Sequence, residues 1–313
     1  LAAAQLARML RPGDEVVTTV MEHHSNLLPW AMLCETRRIR LRICDVTDEG
    51  LLDYEELLSL ITHRTRIVCV THASNVLGTV NDVKTIAEAA HDKGALVLVD
   101  GAQSVPHMPV DVQRLGCDML AFSGHKMLGP MGIGVLYVKE ELLESWTPVL
   151  YGGGIVVEVK CVGDVCRPRW VKGPERFEAG TPNVAGAVGL AAAIDYLEAI
   201  GLEEVAKHER KLTRYTLERM SNELNRVVTY GPPLEHRVGI IPFNVKGLTP
   251  HEVAALLDQF GIAVRSGLHC AQPLHDRMGV PEGTVRASFY LYNIPEEADR
   301  LVEALKIVEE GLG

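Results

Sequence analysis

An aspartate and a lysine each follow an apolar run of this sequence, and together they could support acid–base or covalent chemistry. Asp100 ends the run ALVLVD, and Lys126 comes shortly after the run MLAF, behind the residues SGH. A carboxylate at the end of a buried strand is poorly hydrated unless it faces a cation. A lysine among small residues suits a buried amine, whose lowered pKa makes it a nucleophile or a base. Taken singly, each residue is more commonly structural.

The two residues together match the needs of one cofactor. Pyridoxal phosphate requires a lysine for its Schiff base and an acid group that keeps the pyridine nitrogen protonated, so that the ring can act as an electron sink. An aspartate and a lysine at nearby strand ends meet both needs. Asp100 and Lys126 therefore predict a pyridoxal-phosphate site.

One of the seven cysteines stands apart from the others. Cys44 and Cys69 lie inside apolar runs, and Cys161 with Cys166 forms a C-x₄-C pair that lacks the second pair of a zinc site. The odd number and irregular spacing favour reduced thiols over a disulfide framework. Cys270 lies in RSGLHCAQP, a loop bounded by Gly and Pro that should keep the thiol accessible, and nearby cations favour the thiolate.

The elements that must position these residues alternate between strands and helices. Strands are predicted by β-branched and apolar runs at Glu15–Val20, Ile39–Cys44, Arg66–Thr71, Ala95–Asp100, Met119–Phe122 and Gly132–Val138. Helices are predicted between them at Asn26–Glu35, Tyr54–Ile61 and Val83–Lys93. Strands that are apolar on both faces and separated by helices predict an α/β fold with a mostly parallel central sheet sandwiched by helices. Such sheets bind ligands beyond the carboxyl ends of their strands, where Asp100 and Lys126 lie.

The second half of the chain predicts a smaller α/β unit. Long helical patterns reach Ile200 and then about Leu224, and shorter elements are predicted at Gly239–Val245, Pro250–Phe260, Ile262–Arg265, Val285–Phe289 and Pro295–Glu310. We predict a large domain over residues 1–200 and a small C-terminal domain over residues 201–313 that carries the Cys270 loop. No internal repeat or low-complexity linker separates them.

Composition limits the classes of function. The 313 residues include 47% hydrophobic and 23% charged side chains, which is the balance of a globular chain, with a formal net charge of −10. An acidic chain is a poor nucleic-acid binder, because such binding depends on a basic face. No apolar stretch approaches the ~18 residues of a membrane span, and no signal peptide is evident, so we expect a cytoplasmic protein.

The first residues of the sequence form an uncapped helical pattern. The run LAAAQLARML contains no Ser, Thr, Asp or Asn before it and begins without methionine. We therefore expect that an N-terminal segment precedes Leu1 in the full protein. The family resemblance given below implies that a turn just before this helix holds the cofactor phosphate, as helix N-termini with free N–H groups usually do, so we expect weak cofactor binding by this chain.

Several motifs, in order along nearly the whole chain, carry a family resemblance. The motifs are MEHHSN, THASNVLGT, VLVDGAQ, FSGHK, RFEAGTPN and RSGLHCAQP. They resemble those of the aminotransferase-like (class V) pyridoxal-phosphate enzymes, specifically the group II (SufS-type) cysteine desulfurases. The resemblance implies the fold-type I architecture of pyridoxal-phosphate-dependent transferases.

The resemblance also implies a role for each matching residue. Lys126 would form the Schiff base and shuttle protons, Asp100 would pair with the ring nitrogen, and Gln103 would bond the phenolic oxygen. His23 would stack on the ring, with Asn75 beside it, whereas no cofactor role is implied for His24. The other implied residues are Ser123 and His125 for the phosphate, Thr181 for the phosphate of a neighbouring subunit, Cys270 as the sulfur acceptor, and Arg286 with Arg265 for the substrate carboxylate.

The activity that the resemblance implies is the conversion of L-cysteine to L-alanine. Sulfur would pass to Cys270 as a persulfide and then to an acceptor protein of an iron–sulfur assembly system or to another thiol. The role of Thr181 implies a homodimer, and no metal is implied. L-Selenocysteine stays open as a substrate. The alternatives are a selenocysteine lyase, an epimerase or aminotransferase of the same superfamily, and an inactive fragment that keeps the fold.

Overall fold

The computed structural model describes residues 1–312, and a six-stranded sheet forms its centre. Along the chain its strands are β1 Glu15–Thr19, β2 Arg40–Cys44, β3 Thr65–Thr71, β4 Leu96–Asp100, β5 Met119–Ser123 and β6 Gly134–Val138. The spatial order is β2-β1-β3-β4-β5-β6. All neighbours are parallel except β6, which runs antiparallel to β5. The mostly parallel sheet predicted from the sequence is therefore confirmed.

Twelve α-helices lie in the described part of the chain. They are α1 Ala2–Leu6, α2 His24–Arg37, α3 Tyr54–Leu60, α4 Val83–Asp92, α5 Ser104–His107, α6 Val112–Leu115, α7 Glu140–Ser145, α8 Val184–Ile200, α9 Leu202–Glu223, α10 Pro250–Gln259, α11 Gln272–Arg277 and α12 Pro295–Glu310. Local sequence sets several of their starts. The side chain of Asp82 accepts a hydrogen bond from the Thr85 N–H at the start of α4, and Thr249 forms a capping box with Glu252 at the start of α10.

The strands are apolar on both faces because helices cover both faces of the sheet. Successive strand residues point to opposite sides, so Val68 and Val70 of β3 pack in one hydrophobic cluster while Ile67 packs in another. Leu98 of β4 likewise lies opposite its neighbours Val97 and Val99. All six of these side chains are buried. This two-sided burial explains the continuous apolar runs in the sequence.

A second sheet lies in the C-terminal part of the chain. Its strands are β9 Val227–Thr229, β10 Ile240–Val245, β11 Arg265–Gly267 and β12 Thr284–Ser288, in the antiparallel order β11-β12-β10-β9. Phe243 and Val285 of this sheet share a hydrophobic cluster with Leu305 of α12. The bend between α8 and α9 falls at the domain boundary predicted near residue 200, and the division into two domains stays a prediction.

One strand of the second sheet begins later than predicted. The expected strand Ile262–Arg265 is wrong, since β11 starts at Arg265. The Ile262 N–H donates to the carbonyl of Leu257 and the Gly261 N–H to that of Asp258. These bonds belong to the end of α10, so the backbone at residue 262 is not available to a strand.

An exposed hairpin occupies a segment to which the sequence assigned no element. Strands β7 Val156–Val162 and β8 Val165–Trp170 pair antiparallel across the turn at Gly163 and Asp164. Cys161 lies directly opposite Cys166, with 4.0 Å between their Cα atoms, and the two form a disulfide. The expectation that all the cysteines are reduced is therefore wrong for this pair. The hairpin register brings the two residues together, which spacing alone did not reveal.

Helix length and hydropathy give a limited result on membranes. Within residues 1–312 no helix taken alone is both long and apolar enough to cross a bilayer, although the bent pair Val184–Ile200 and Leu202–Glu223 meets these criteria together.

Candidate active site

A cavity of about 490 Å³ opens beyond the carboxyl ends of β3, β4 and β5. This is the place at which open parallel sheets bind ligands. Seven of the residues singled out in the sequence line it: His23, Asn75, Asp100, Gln103, Ser123, His125 and Lys126. The fold therefore brings together residues that are up to 103 positions apart in the sequence, from His23 to Lys126.

Lys126 ends a short 3-10 turn, Gly124–Lys126, that directly follows β5. A Cβ on Gly124 would lie 2.9 Å from the Ile133 side chain and 3.2 Å from its carbonyl oxygen, so the turn needs glycine there. Burial lowers the pKa of the Lys126 amine, the negative charge of Asp100 opposes this, and the positive charge of Arg286 adds to it. The neutral amine is thus more populated than on a surface lysine, which suits a nucleophile or base.

Asp100 is the last residue of β4, and both its side chain and its backbone carbonyl accept hydrogen bonds. Its Oδ1 accepts a hydrogen bond of 2.9 Å from the Ala102 N–H, and its carbonyl accepts one from the His72 N–H. The salt bridges formed within residues 1–312 do not include Asp100. A half-buried carboxylate that faces the cavity and forms no salt bridge is suited to pair with a cationic group of a ligand.

His23 caps the start of α2 and presents its ring to the cavity. The ring Nδ1 accepts a hydrogen bond of 3.1 Å from the Ser25 N–H, which fixes the imidazole at the helix start. Burial lowers the pKa of His23, and the positive charge of Lys126 lowers it further. The ring is therefore neutral near pH 7, as a flat group stacking on a heteroaromatic ligand should be.

Hydrogen bonds hold the Cys270 loop beside this cavity. The Cys270 carbonyl accepts a hydrogen bond of 2.7 Å from the His24 N–H, and the His269 carbonyl accepts one of 2.8 Å from Asn75 Nδ2. His24, for which no cofactor role was predicted, also accepts a hydrogen bond of 3.2 Å at Nε2 from the Gln272 N–H. The thiol-bearing residue itself is exposed, and its charge acts on the pKa of Lys126. An accessible thiol thus lies next to a cavity that contains a buried amine.

The backbone of this loop is unusual. His269 has φ of 48° and Cys270 has φ of 56°, both in the left-handed region that disfavours side chains. Burial and, to a smaller extent, the positive charge of Arg286 lower the pKa of His269 to about 3, so this imidazole is neutral. Its Nε2 lies 3.0 Å from the Thr284 carbonyl, which fixes the ring beneath the loop.

Two guanidinium groups face each other on the second sheet. Arg265 of β11 is the register partner of Arg286 of β12. Arg286 Nη1 donates to the Asn75 carbonyl at 2.7 Å, whereas its buried Nε has no partner. Burial lowers the pKa of Arg286, and the charge of Arg265 adds to this effect. Two cations side by side, one with an unused buried donor, suit an anionic group such as a carboxylate.

One predicted cofactor residue lies away from the cavity of its own chain. Thr181 is exposed and precedes α8, whose first turn is capped by Asn183. It does not line the cavity. The described single chain therefore does not bring Thr181 together with the other predicted residues, and its role in a neighbouring subunit stays a prediction.

Outside the disulfide pair and the Cys270 loop, the remaining cysteines have thiols whose pKa is raised by burial. Cys44, Cys69 and Cys117 are fully buried, and burial raises the pKa of each thiol. Burial raises the pKa of Cys34 to about 11. Among residues 1–312, no group of three or more His, Cys, Asp or Glu side chains is placed to hold a metal ion.

Three polar residues of the site were missed in the sequence. Asn26 and Thr71 line the cavity, and Glu22 lies fully buried behind them. Glu22 and Asn26 belong to the MEHHSN motif, in which only the histidines were considered. A signal was present: a carboxyl and an amide four residues apart at the start of a helix can bond to each other.

The donor set of the cavity fits pyridoxal phosphate. It contains a buried amine with lowered pKa, a carboxylate that forms no salt bridge, and a neutral imidazole. Ser123 and His125 add two polar groups at the end of β5. A cavity of about 490 Å³ is large enough for a small cofactor. The fold and the site together define a pyridoxal-phosphate-dependent enzyme of fold type I.

Comparison with known proteins gives the family. The family profile described as Aminotransferase class-V matches residues 1–301, and the chain belongs to this family. A probable cysteine desulfurase from Halalkalibacterium halodurans is 49% identical over 314 residues, covering 100% of this chain and 75% of that protein. A cysteine desulfurase from Haloferax volcanii is 46% identical, covering 96% of this chain and 69% of that protein.

Solved structures give the same result. The apo structure of a cysteine desulfurase from Thermococcus onnurineus superposes with a TM-score of 0.94 at 44% identity, covering 99% of this chain and 76% of that one. A cysteine desulfurase from Escherichia coli, in its S-sulfonic acid form, has a TM-score of 0.92 at 37% identity, covering 99% of this chain and 76% of that one. The fold class predicted from the sequence is confirmed.

Proposed function

We propose that this protein is a pyridoxal-phosphate-dependent cysteine desulfurase that converts L-cysteine to L-alanine and takes the sulfur on Cys270 as a persulfide. One observation carries the proposal: an exposed cysteine lies in a loop fastened to the mouth of a cavity that holds Lys126 and Asp100. An epimerase or an aminotransferase needs the amine and the carboxylate but has no use for that thiol. The names of relatives that are 45–49% identical support the same activity.

Each residue of the cavity has a task in this reaction. Lys126 binds the cofactor covalently and moves the proton at the substrate Cα, since its amine is buried and its pKa is lowered. Asp100 keeps the ring nitrogen protonated, Gln103 bonds the phenolic oxygen, and His23 stacks on the ring with Asn75 beside it. Ser123 and His125 hold the phosphate. The bound cofactor supplies an electron sink for the charge left at Cα when its proton is removed.

Sulfur transfer is the task of Cys270. Its thiolate attacks the sulfur of the bound substrate, so that a new S–S bond forms while the bond between substrate Cβ and sulfur breaks. The electron pair of the broken bond stays with the carbon skeleton, which gains protons and leaves as alanine. The Cys270 persulfide then gives its outer sulfur to a thiol of an acceptor protein, which we infer to belong to an iron–sulfur assembly system. The cytoplasmic location expected from the sequence stays a prediction.

The proposal includes a homodimer in which Thr181 reaches the cofactor phosphate of the neighbouring subunit. Helix α8, which follows Thr181, exposes Val184, Val188 and Tyr196 by 55–67%. A helix that is apolar on its outer face as well as its inner one is usually covered on both. A second copy of the chain covering α8 would bury these side chains and bring its own Thr181 towards the site.

The test is the product balance from L-cysteine. The cofactor-loaded protein with a thiol reductant should release alanine and sulfide in equal amounts, and without reductant it should accumulate a persulfide on Cys270, detected by mass spectrometry. Release of pyruvate, or racemisation of cysteine without alanine, would contradict the proposal. Turnover of L-selenocysteine, measured in parallel, distinguishes a cysteine desulfurase from a selenocysteine lyase, because the lyase would leave L-cysteine unchanged.

Arg286→Lys is expected to weaken substrate binding while leaving cofactor binding intact. Arg286 keeps an unused buried Nε beside Arg265, and a planar guanidinium pairs with a carboxylate through two bonds that lysine cannot reproduce. The loss of one charge-assisted bond of about 1.5–3 kcal/mol predicts a KM for L-cysteine that is raised about 10- to 100-fold.

The matched control is Arg114→Lys, because Arg114 is exposed and does not line the cavity. Its KM should equal that of the wild type. An unchanged KM in Arg286→Lys, together with loss of the cofactor absorption band, would show that Arg286 serves the cofactor and not the substrate.

A further inference from the structure

Glu22 is a fully buried carboxyl directly behind the cavity wall. Its Oε1 accepts hydrogen bonds from Thr19 Oγ1 at 2.8 Å and from the Thr71 N–H at 3.0 Å. Asn26 Nδ2 lies 2.6 Å from its Oε2. Glu22 is therefore a buried carboxyl whose two oxygens are both hydrogen-bonded to neighbouring groups.

The three partners of Glu22 belong to three elements that position the site. Thr19 ends β1, Asn26 lies in the first turn of α2, and Thr71 ends β3. The same turn of α2 carries His23, and Thr71 is the register partner of Asp100. Glu22 therefore joins the element that carries the stacking imidazole to the strand beside the cofactor carboxylate.

Acidic groups lie near Glu22. The charged and titratable groups that act on it or respond to it include Asp100 at the end of β4 and the thiol of Cys69 in β3. No salt bridge formed within residues 1–312 includes Glu22. Burial raises the pKa of Glu22 to about 8, with Asp100 adding to the effect and the hydrogen bonds from Asn26, Thr19 and Thr71 opposing it.

The contact with Asn26 accommodates a proton. A distance of 2.6 Å between Glu22 Oε2 and the Asn26 amide lies in the usual range of O–H···O hydrogen bonds and below that of N–H···O bonds. The structure has Asn26 Nδ2 as the donor to Glu22, and turning this amide by half a revolution would place its oxygen against Glu22, where it would accept the acid proton. The other carboxyl oxygen keeps its two donors.

We propose that Glu22 is a positioning residue, a protonated buried carboxyl that holds the His23 turn of α2 against the end of β3 and, by staying uncharged, leaves Asp100 as the negative charge of the cavity. The inference rests on the proposed function only for the assignment of Asp100 and His23 to the cofactor. A second negative charge beside Asp100 would raise the affinity of Asp100 for a proton, which competes with its pairing to the cofactor nitrogen.

The pH dependence of stability has a definite sign. A carboxyl that is more easily protonated in the folded state than in the unfolded state contributes stability at low pH, and this contribution is lost as the pH rises to the folded-state value. For Glu22 the window runs from 4.5 to about 8. The thermal midpoint of the cofactor-free wild type is expected to fall by on the order of 5 °C from about pH 5.5 to about pH 8.5.

Glu22→Gln tests the proposal, because glutamine reproduces the neutral carboxyl in shape and hydrogen bonding. The variant should bind pyridoxal phosphate at neutral pH within about threefold of the wild type, measured by fluorescence titration. Its thermal midpoint and its cofactor affinity should both depend less on pH between neutral and about pH 9 than those of the wild type. The control is Glu209→Gln, because Glu209 is also buried with a raised pKa but bonds to His107 away from the cavity.

The Glu22→Gln and Glu209→Gln variants are expected to differ in the pH dependence of cofactor affinity. Glu209→Gln should alter the pH dependence of stability and leave that of cofactor affinity unchanged. A folded Glu22→Gln protein that loses ten times or more of its cofactor affinity at neutral pH would overturn the proposal, because it would show that the ionised carboxylate is needed. Wild-type pH dependence in both measurements would overturn it as well.

An infrared measurement keeps the inference testable if Glu22→Gln does not fold. The cofactor-free Glu209→Gln protein should show the stretching band of a protonated carboxyl at neutral pH, and this band should disappear as the pH rises past about 8. Absence of the band at neutral pH would refute a protonated Glu22. These measurements do not depend on desulfurase activity, so failure of the inference and failure of the proposed function are distinguishable.

Discussion

Lys126→Ala is expected to form no detectable alanine from L-cysteine. The variant loses both the covalent attachment of the cofactor and the amine that moves the Cα proton. Proton transfer by a positioned side chain is worth about 10²–10⁴-fold, and loss of the covalent link adds to this, so turnover should fall by at least about a thousandfold. The visible absorption band of the lysine-bound cofactor should also be absent.

Lys84→Ala is the matched control, because Lys84 lies on the exposed face of α4 and is 67% exposed. It should keep the absorption band and full turnover. Retention of the band in Lys126→Ala would place the covalent attachment on another lysine and remove the basis for the proposed site.

Cys270→Ser should bind the cofactor and L-cysteine normally yet release almost no alanine. A serine hydroxyl is a far weaker nucleophile than a thiolate, and loss of a covalent nucleophile should lower turnover on the order of a thousandfold or more. Substrate-induced changes in the absorption spectrum should persist, because Lys126 and Arg286 are intact. Turnover of L-selenocysteine could survive, since selenium leaves more readily without attack by a thiol.

Cys34→Ser provides the comparison for this variant. Cys34 is half-buried and its pKa is raised to about 11, so its thiol is unreactive and its removal should leave alanine formation unchanged. Wild-type turnover of L-cysteine in Cys270→Ser would refute the desulfurase proposal, whereas equal losses in both variants would indicate a general effect of removing thiols.

The sequence was informative where burial imposes a regular pattern. Val68 and Val70 had to pack on one face of the sheet and Ile67 on the other, so a continuous apolar run predicted a central strand and its position to within one residue. Because Asp100 and Lys126 follow the ends of such strands, the sequence predicted that they lie together, and both line the same cavity. Both predictions depend on period and length, which a single sequence contains.

Features that depend on tertiary contacts were not predicted. Hairpin β7–β8 was not predicted although β7, with the sequence VVEVKCV, alternates between apolar and polar residues, and the hairpin is exposed along much of its length. Glu22 looks like an ordinary helix-start carboxylate in the sequence, and only the approach of Thr71 across the sheet shows that it is buried and bonded. The role proposed for Thr181 depends on a second chain, whose contacts a single sequence does not reveal.

The disulfide of the hairpin affects how the proposed persulfide on Cys270 can be quantified. Of the cysteines in residues 1–312, the exposed ones are Cys270 and the pair Cys161 and Cys166. While that pair is oxidised, an alkylating reagent applied to the folded protein labels mainly Cys270, as a thiol or as a persulfide, and the mass of the labelled residue, which differs by one sulfur atom between the two, gives the persulfide occupancy. A strong reductant opens the pair and adds two alkylation sites, so stoichiometry obtained after reduction should be corrected with a Cys161→Ser, Cys166→Ser double variant.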